Sequence, residues 1–259
     1  MLNVESKVDR RHKNIIKELK KHGKVKVGEL SKSLSVTDET IRRDLEFLEN
    51  QKVLIRTRGG AVQSASEGFE VPSMEREQKH LEEKEAIARQ ALELVEEGEI
   101  IAIDASTTSL QLAKLLPNMS LTVITNSIHV SIELAKKEQI TVILTGGYLR
   151  KESMSLVGIT SDKIINDYHV NTFFMSCTAI DASWGVSDSH EMQARTKQRI
   201  AELADKIVVL ADHTKFEQRS LVKWINLDEV DTIISTNDLE DSLAEKYEQK
   251  VKHFLRVAL

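Results

Sequence analysis

Hydroxyl, carboxylate and basic residues that could bind a phosphate group follow four apolar runs beyond residue 99 of the chain. Residues 104–108 (Asp-Ala-Ser-Thr-Thr) precede a predicted helix, so their hydroxyls and backbone N–H groups could converge on an anion. Residues 125–127 are Thr-Asn-Ser, and residues 145–150 combine two glycines with an arginine that can bind an anion through two N–H groups. Residues 212–215 (Asp-His-Thr-Lys) complete the series, and Lys197 lies on the helix before them. Each segment alone is more often a cap or a turn, but together they predict an anion-binding site.

Two adjacent arginines, Arg42 and Arg43, occur near the N-terminus in a segment with the pattern of a short amphipathic helix. Thr37 is suited to cap this helix, and acidic residues follow it where the helix dipole favours negative charge. Apolar residues recur at positions 41, 45 and 48, which leaves Glu39, Thr40 and both arginines away from the core. Arginines exposed in this way can bind phosphates or guanine edges in the major groove of DNA. The pattern therefore predicts a recognition helix.

A β-prone run with two glycines follows this helix. Residues 53–62 contain Gly59 and Gly60, which permit a tight turn, and Arg56 and Arg58 lie near its tip. We interpret the segment as a wing that lies along the DNA backbone. Helix spacing alone leaves an alternative open, a three-helix domain whose hairpin contacts other proteins.

The charge of the chain is divided unevenly between its two parts. Residues 1–62 contain fifteen Lys and Arg against nine Asp and Glu, a net charge of +6. The remainder contains twenty-one against thirty-two, a net charge of −11 within the total of −5. A basic segment ahead of an acidic body indicates a polyanionic partner for that segment, although small helical domains can also be basic by chance.

The sequence also predicts the elements that would position these residues. In the first part we expect helices over residues 9–22 and 28–33, a very short strand between them, the recognition helix and the wing. Beyond residue 73 a long amphipathic helix leads to Gly98. Short apolar runs predict strands at residues 100–104, 121–125, 140–145, 172–175, 207–211 and 232–235. Helical patterns alternate with them at residues 109–116, 127–136, 190–204 and 239–247. This alternation predicts an α/β fold with a largely parallel, Rossmann-like sheet, in which ligands bind at the carboxyl ends of the strands.

Length and composition favour two folded domains. We expect a winged helix-turn-helix domain over residues 1–62, a polar linker over residues 63–73, and a sensing and oligomerisation domain over residues 74–259. The chain has no apolar run of eighteen residues and no signal-peptide block, so we expect a cytoplasmic protein without membrane association. The single cysteine, Cys177, cannot form an internal disulfide, and the eight histidines never pair with it at zinc-ligand spacing. No metal or cofactor is expected.

The motifs of both parts resemble the DeoR family of bacterial transcriptional regulators. In the first part the resemblance rests on residues 27–31 (Val-Gly-Glu-Leu-Ser), residues 36–45 (Val-Thr-Asp-Glu-Thr-Ile-Arg-Arg-Asp-Leu) and residues 56–61 (Arg-Thr-Arg-Gly-Gly-Ala). In the second it rests on the order Asp-X-Ser-Thr-Thr, Thr-Asn-Ser, Gly-Gly-X-X-Arg, Lys197 and Asp-X-X-Lys-Phe. This order is similar to the family's sensor domain, a relative of ribose-5-phosphate isomerase. Membership would imply a repressor of a sugar-catabolic operon that a phosphorylated sugar controls.

The resemblance implies two sets of binding residues. Double-stranded operator DNA would contact Thr37, Glu39, Thr40, Arg42, Arg43, Arg56, Arg58, Gly59 and Gly60. A small phosphorylated sugar would bind among Asp104, Ser106, Thr107, Thr108, Asn126, Gly146, Gly147, Arg150, Asp181, Lys197, Asp212 and Lys215. Because helix-turn-helix proteins usually bind repeated half-sites, we also expect a homodimer or a homotetramer.

Three residues depart from the family pattern. The first loop of the sensor is usually Asp-Ser-Gly-Thr-Thr, whereas this chain has Ser106 in place of the glycine. Ser176 and Ala179 likewise stand where the family usually has glycines near the fourth strand. Because side chains occupy positions where the backbone is usually bare, we expect a pocket that is smaller or differently polar than in typical members.

Two alternatives to a ligand-controlled regulator remain open. The body could be a sugar-phosphate isomerase with Asp104, Asp181 or Asp212 as general base. Lys197 or Lys215 would then act as the electrophile, although no part of the sequence requires catalysis. The body could also serve only in oligomerisation.

Overall fold

The computed structural model describes residues 7–22, 24–50, 53–63 and 71–259. The chain divides into two compact units, Met1–Phe69 and Glu70–Leu259, which we call the N-terminal unit and the C-terminal unit. Most of the predicted linker, residues 63–73, lies outside the described residues, and Ser73 already begins a helix. The exact domain limits therefore stay predictions. Among the described residues, no helix has both the length and the apolar character needed to cross a membrane.

The described part of the N-terminal unit combines helices with a small antiparallel sheet. Its elements are α1 (Lys7–His22), β1 (Lys24–Lys26), α2 (Val27–Leu34), α3 (Asp38–Asn50), β2 (Leu54–Thr57) and β3 (Gly60–Gln63). The strands pair in the order β1-β3-β2. Ile15 and Leu19 of α1 share one buried core with Ile41 and Leu45 of α3, because these pairs recur at helical spacing. The predicted winged helix-turn-helix is confirmed, and α2 is one residue longer at each end than expected.

The C-terminal unit alternates strands and helices. Two helices, α4 (Ser73–Gln78) and α5 (Leu81–Leu92), come first. They are followed by β4 (Ile100–Ile103), α6 (Thr107–Leu115), β5 (Leu121–Thr125), α7 (Ile128–Leu134), β6 (Ile140–Leu144), β7 (Tyr148–Arg150), β8 (Ser155–Val157) and α8 (Ile159–Ile165). The remaining strands and α-helices are β9 (Val170–Met175), β10 (Ala179–Asp181), β11 (Gly185–Asp188), α9 (Glu191–Ala201), β12 (Ala204–Leu210), β13 (Val222–Ile225), β14 (Thr232–Thr236), α10 (Asp241–Glu248) and β15 (His253–Val257). Short 3-10 turns lie at His213–Lys215 and Leu227–Glu229.

Seven parallel strands form the central sheet of this unit, in the order β15-β14-β12-β9-β4-β5-β6. Successive side chains of an inner strand are buried on opposite faces, so that Phe173 belongs to one apolar core and Phe174 to the other. Strands that are covered on both faces need nearly continuous apolar runs, which is the pattern in the sequence. The predicted parallel α/β sheet is confirmed. Because the strands are parallel, the chain leaves β4, β5, β9 and β12 at the same edge of the sheet, which we call the carboxyl edge.

Several parts of the C-terminal unit differ from the sequence-based expectation. The single long helix predicted before Gly98 is two helices, separated at His80, where the backbone is left-handed with φ 55°. The helix predicted over residues 190–204 ends at Ala201, because Ala204 already pairs with Val170 as the first residue of β12. The prediction also lacked β15, the β7–β8 hairpin, the antiparallel sheet β10-β11-β13 and α8. These elements have three to seven residues, too few for their periodicity to stand out.

Candidate nucleic-acid interface and ligand site

The start of α3 is fixed by Thr37. Its hydroxyl oxygen accepts a hydrogen bond from the backbone N–H of Thr40 at 3.2 Å, and the two hydroxyl oxygens lie 2.9 Å apart. This is the N-cap that the sequence predicted, and it leaves Thr40 half-buried. Asp38 and Glu39 occupy the first turn, where the helix dipole favours their charge.

Both arginines of α3 lie on its exposed side. Arg42 and Arg43 are exposed, and Arg43 forms a surface ion pair with Glu39 one turn earlier, with Nε 3.4 Å from Oε1. A pair exposed to this degree contributes little to stability, so a stronger anion can replace Glu39 at small cost. The helix therefore presents two guanidinium groups and the Glu39 carboxylate to solvent.

The wing is a two-residue hairpin. Thr57 pairs with Gly60, which leaves Arg58 and Gly59 as the turn, with φ +94° at Gly59. A side chain at Gly60 would overlap the carbonyl oxygen of Val25 on the neighbouring strand. Both glycines thus have a backbone reason to be glycine, separate from any contact with DNA.

The arginines of the wing differ in their surroundings. Arg56 and Arg58 are both exposed. Arg56 is also tied to α3, because its backbone N–H donates to Glu49 Oε1 at 2.8 Å and its guanidinium Nη1 lies 3.9 Å from Glu49 Oε2. The hairpin is therefore anchored to the helix at Arg56, while Arg58 stands at the tip.

A buried carboxylate that the sequence prediction missed, Asp44, connects α3 to α1. Arg11 donates to it from Nε at 2.5 Å and from Nη2 at 2.8 Å, and His12 Nε2 lies 3.0 Å away. Burial alone would raise the pKa of Asp44, but the hydrogen bonds with Arg11 and His12 outweigh it and lower the pKa. The ring of Phe47 stacks on His12 at a centroid distance of 5.0 Å. In the sequence, the indication of this role is that Asp44 is a charged residue on the buried side of the predicted helix, three positions after Ile41 and next to Leu45.

In the C-terminal unit a buried ion cluster joins the end of β4 to α9. Lys197 Nζ donates to Ser176 O at 2.6 Å and to Asp188 Oδ2 at 2.9 Å, and it lies 3.0 Å from Asp104 Oδ2. Burial lowers the pKa of this lysine, but the two carboxylates outweigh that effect and raise it. The ammonium group is thus surrounded by three oxygens of the protein, two of which accept hydrogen bonds from it. Asp188 was not predicted, because β11, on which it lies, was not.

Asp104 also organises the loop that follows it. One carboxylate oxygen accepts from the backbone N–H of Ser106 and the other from that of Ser176, each at 3.2 Å. Ser106 caps α6, since its hydroxyl oxygen accepts from the backbone N–H of Ser109 at 3.1 Å. Thr107 and Thr108 are buried in the first turn of α6. The serine that departs from the family pattern is therefore a helix cap.

The ends of β5 and β6 are held to the β7–β8 hairpin. The Asn126 side-chain amide donates to Leu156 O at 3.2 Å, and Leu156 N donates to Asn126 O at 2.7 Å. Gly146 and Gly147 have φ +66° and +112°, and a side chain at Gly147 would lie 2.6 Å from Val157 O. Arg150, on β7, is largely buried and pairs with Glu152 at 3.1 Å. Asn126 and Gly147 thus have packing reasons for their identity.

Asp212 and Lys215 lie together after β12. Asp212 accepts hydrogen bonds from the backbone N–H and the hydroxyl of Thr214, which caps the 3-10 turn that contains Lys215. Burial would raise the pKa of Asp212, but Lys215 and Thr214 outweigh it and lower the pKa.

A further basic residue near this turn, Lys84 of α5, was missed by the sequence prediction. It is buried, and its ammonium donates to the carbonyl oxygens of Arg76 and Lys79 at the end of α4. Burial lowers its pKa to about 8, while the charge of Asp212 acts in the opposite direction. Its signal was a lysine on the apolar side of a helix, three residues before Ile87.

Asp181 belongs to a different set of contacts, at the turn between β10 and β11. It accepts hydrogen bonds from Ser183 and Trp184 in the turn between β10 and β11, and Arg219 donates to it from Nε at 3.0 Å. The hydrogen bonds from Arg219 hold the pKa of Asp181 well below its usual range. Among the described contacts, none joins Asp181 to the Asp104–Lys197 cluster.

Cys177, at the carboxyl edge, lies close to four of the charged residues described above. Burial raises the pKa of the Cys177 thiol to about 12. The charges that act on the same thiol belong to Asp188, Lys215, Lys197 and Asp212. The loops that follow the neighbouring strands β9 and β12 thus lie close to Asp188 at the end of β11 and to Lys197 on α9.

Both parts of the chain match family models. The DeoR-like helix-turn-helix domain matches residues 11–67, and the DeoR C-terminal sensor domain matches residues 79–237. The chain belongs to the DeoR family. The resemblance found in the motifs is therefore confirmed, and both candidate sites fall within the matched residues.

Relatives in this family are similar over nearly their whole length. The HTH-type transcriptional regulator YulB of Bacillus subtilis is 41% identical, over 94% of each chain. The L-fucose operon activator of Haemophilus influenzae is 34% identical over 91% of this chain and 94% of its own. The transcriptional repressor GlcR of Bacillus subtilis is 34% identical over 85% of each. Among solved structures, ribose 5-phosphate isomerase A of Methanocaldococcus jannaschii aligns with 53% of this chain and 55% of its own, with 16% identity and a TM-score of 0.41.

Membership in the DeoR family decides between the open alternatives of enzyme and regulator. The helix-turn-helix domain implies DNA binding, and the sensor domain implies a small-molecule effector. The chain is therefore a DNA-binding transcriptional regulator rather than an enzyme.

Proposed function

We propose that this DeoR-family protein regulates a sugar-catabolic operon and that a small phosphorylated sugar sets its affinity for double-stranded operator DNA. The observation that carries the proposal is the concentration of charged and hydroxyl groups where β4, β9 and β12 end. One relative is named as the activator of the L-fucose operon, which supports a sugar operon as the target.

On the DNA side, α3 would enter the major groove and the wing would lie along the backbone. Arg42 and Arg43 would contact base edges or phosphates, together with Thr37, Glu39 and Thr40 at the start of the helix. Arg56 and Arg58 would contact phosphates, while Gly59 and Gly60 shape the turn that carries them. Operators of this kind are repeated half-sites, so the active form would be a homodimer or a homotetramer.

On the ligand side, the residues divide into those that hold the site and those that would touch the phosphate. Lys197 belongs to the first group, because its ammonium already meets Asp104, Asp188 and Ser176. Lys215, half-buried beside Asp212, is our first candidate for direct contact with the phosphate.

Backbone groups would complete the anion site. Thr107 and Thr108 lie in the first turn of α6, where N–H groups favour an anion. Arg150 offers a further cation, and Asn126, Gly146 and Gly147 shape the neighbouring loops.

Ligand control requires that the sugar phosphate bind two states of the protein with different affinity. We propose that it favours an arrangement of the paired helix-turn-helix domains that does not fit the operator, so that the free protein represses. The names of GlcR, a repressor, and of the L-fucose operon activator show that relatives act in both directions. The direction is therefore part of what must be measured.

A thermal-shift screen against pentose and hexose phosphates tests the ligand claim. A ligand that binds only the folded protein at one hundred times its Kd stabilises it by about 2.7 kcal/mol. We expect one sugar phosphate to raise the melting temperature of the wild type and of the control Lys250→Ala, an exposed lysine of the same unit. Lys215→Ala should remove the shift. If no sugar phosphate stabilises the wild type, the sensor only mediates oligomerisation and the proposal fails.

A further inference from the structure

Three side chains from distant parts of the chain meet beside the carboxyl edge, next to the turn that carries Asp212 and Lys215 of the proposed effector site. They are Glu83 on the first turn of α5, His213 in the loop after β12 and Asp238 in the loop after β14. One ligand atom from each, an imidazole nitrogen or a carboxylate oxygen, lies within 4.8 Å of the other two. His213 Nδ1 is 2.8 Å from Glu83 Oε2.

The fold determines this meeting. β12 and β14 are neighbours in the parallel sheet, with Leu210 paired to Ile234, so the loops that contain His213 and Asp238 leave the sheet side by side. Helix α5 packs against β14 and begins directly after the left-handed His80, which places Glu83 over both loops. All three elements belong to the C-terminal unit.

The polar partners of the Glu83 carboxylate are unusual for a buried acidic group. Glu83 is 7% exposed, and in the part of the chain that the structure describes its polar side-chain contacts are with two imidazoles and one hydroxyl. The hydroxyl of Thr236 lies 3.5 Å from Glu83 Oε2 and 3.3 Å from Asp238 Oδ2, yet it has one proton for two carboxylates. Glu83 is buried and Asp238 is exposed, so a cation that enters from solvent can lie between their carboxylates, and a buried negative charge is stabilised when it coordinates a metal.

We propose that Glu83, His213 and Asp238 form a binding site for a divalent first-row transition metal such as Zn²⁺. One imidazole and two carboxylates are donors that such ions accept, and three protein ligands leave one position for water. His80 would orient the site, because its Nδ1 lies 2.6 Å from Oε1, the other oxygen of the Glu83 carboxylate. Cys177, by contrast, is not among the clustered ligand groups.

Cobalt absorption spectroscopy tests the site without any use of the proposed effector. The full chain, without a polyhistidine tag and after treatment with chelator, is titrated with Co²⁺, and Zn²⁺ is then added in competition. We expect saturation at one ion per chain, weak visible bands typical of nitrogen and oxygen ligands, and no thiolate charge-transfer band. His213→Gln and Asp238→Asn should each weaken the binding at least about tenfold. Both side chains reach the surface, so both variants are expected to fold, and far-UV circular dichroism checks this.

The control is His169→Gln. His169 also pairs with a carboxylate, at 3.0 Å from Asp205, but on an exposed surface outside the cluster. The His169→Gln variant should bind Co²⁺ with the affinity of the wild type. Binding that does not saturate at one ion per chain, or that survives both His213→Gln and Asp238→Asn in folded protein, overturns the proposal. Loss of metal binding would leave the sugar-phosphate thermal shift as a separate result, so the two proposals fail independently.

Discussion

The two candidate sites of this protein are built in opposite ways. In the N-terminal unit the arginines proposed to contact DNA are exposed, and a separate buried residue, Asp44, holds the helices together. In the C-terminal unit many of the proposed ligand residues are themselves buried, and Lys197 is bonded to Asp188 and Ser176. Exposed cations are sufficient to bind a large polyanion such as DNA, whereas a small anion is bound by polar groups that are held in place away from water. We therefore expect function and stability to be separable in the first unit and coupled in the second.

The largest expected effect is on the stability of the C-terminal unit. Lys197→Met would leave Asp104 and Asp188 buried without their cation, and removal of one partner from a buried pair costs about 3–5 kcal/mol. Both tryptophans of the chain, Trp184 and Trp224, lie in this unit, so urea unfolding followed by tryptophan fluorescence reports on it. The exposed lysine variant Lys163→Met should unfold with the wild type. A loss below 1 kcal/mol for Lys197→Met would mean that the cluster is not coupled to the fold.

A smaller effect is expected from the carboxylate that joins α1 and α3. Asp44→Asn removes a charged acceptor of Arg11 hydrogen bonds, and such bonds contribute about 1.5–3 kcal/mol. Because folding lowers the pKa of Asp44, its contribution is present above the unfolded-state pKa and is lost as the pH falls through the folded-state value. Hydrogen exchange of α1 and α3 peptides, corrected for intrinsic rates, should show that stability declines below about pH 4 in the wild type. If the stability of α1 and α3 declines with pH in Asp44→Asn as it does in the wild type, the decline does not come from Asp44.

Arg42→Ala should weaken specific DNA binding and leave stability unchanged. If the guanidinium contacts a base, its loss costs about 1–3 kcal/mol of binding and relaxes specificity at one position. Duplexes selected by the wild type from a randomised pool provide the target, and anisotropy titrations provide the affinities. Arg195→Ala is the control, since Arg195 is also an exposed arginine on a helix but lies outside the residues proposed to contact DNA. An unchanged affinity for Arg42→Ala would remove the recognition-helix assignment for this residue.

The smallest effect is expected at the tip of the wing. Arg58 is proposed to contact phosphate only, so Arg58→Ala should weaken binding to all sequences equally and reduce the slope of log K against log salt by about one. The measurement is a salt series on selected and random duplexes. A change in sequence preference would show instead that Arg58 contacts bases.

The sequence predicted elements with a clear apolar pattern better than it predicted buried polar contacts. The recognition helix could be identified because Ile41, Leu45 and Leu48 recur at helical spacing, and the strands of the central sheet because strands buried on both faces are almost wholly apolar. Asp44 and Lys84 were missed because a pattern of apolar positions does not say which polar residue on the buried side has a partner. That partner becomes visible only when distant elements are brought together.

The same limit applies to the candidate metal site and to the ligand site. The histidines were judged by their spacing along the chain and relative to Cys177, whereas His213 and Glu83 are 130 residues apart in sequence and 2.8 Å apart in the fold. Asp181 stays a prediction for the ligand site, and in the fold its hydrogen bonds join the β10–β11 turn and Arg219.

The measurement that tests the central claim most directly is the affinity for operator DNA as a function of sugar phosphate concentration. Anisotropy of a selected duplex should show a Kd for DNA that rises and then saturates as the stabilising sugar phosphate is added. Reciprocity requires the duplex to weaken binding of the sugar phosphate by the same factor. Lys215→Ala should bind the duplex with wild-type affinity and show no response to the sugar phosphate. A sugar phosphate that binds the wild type and leaves its DNA affinity unchanged would contradict the account.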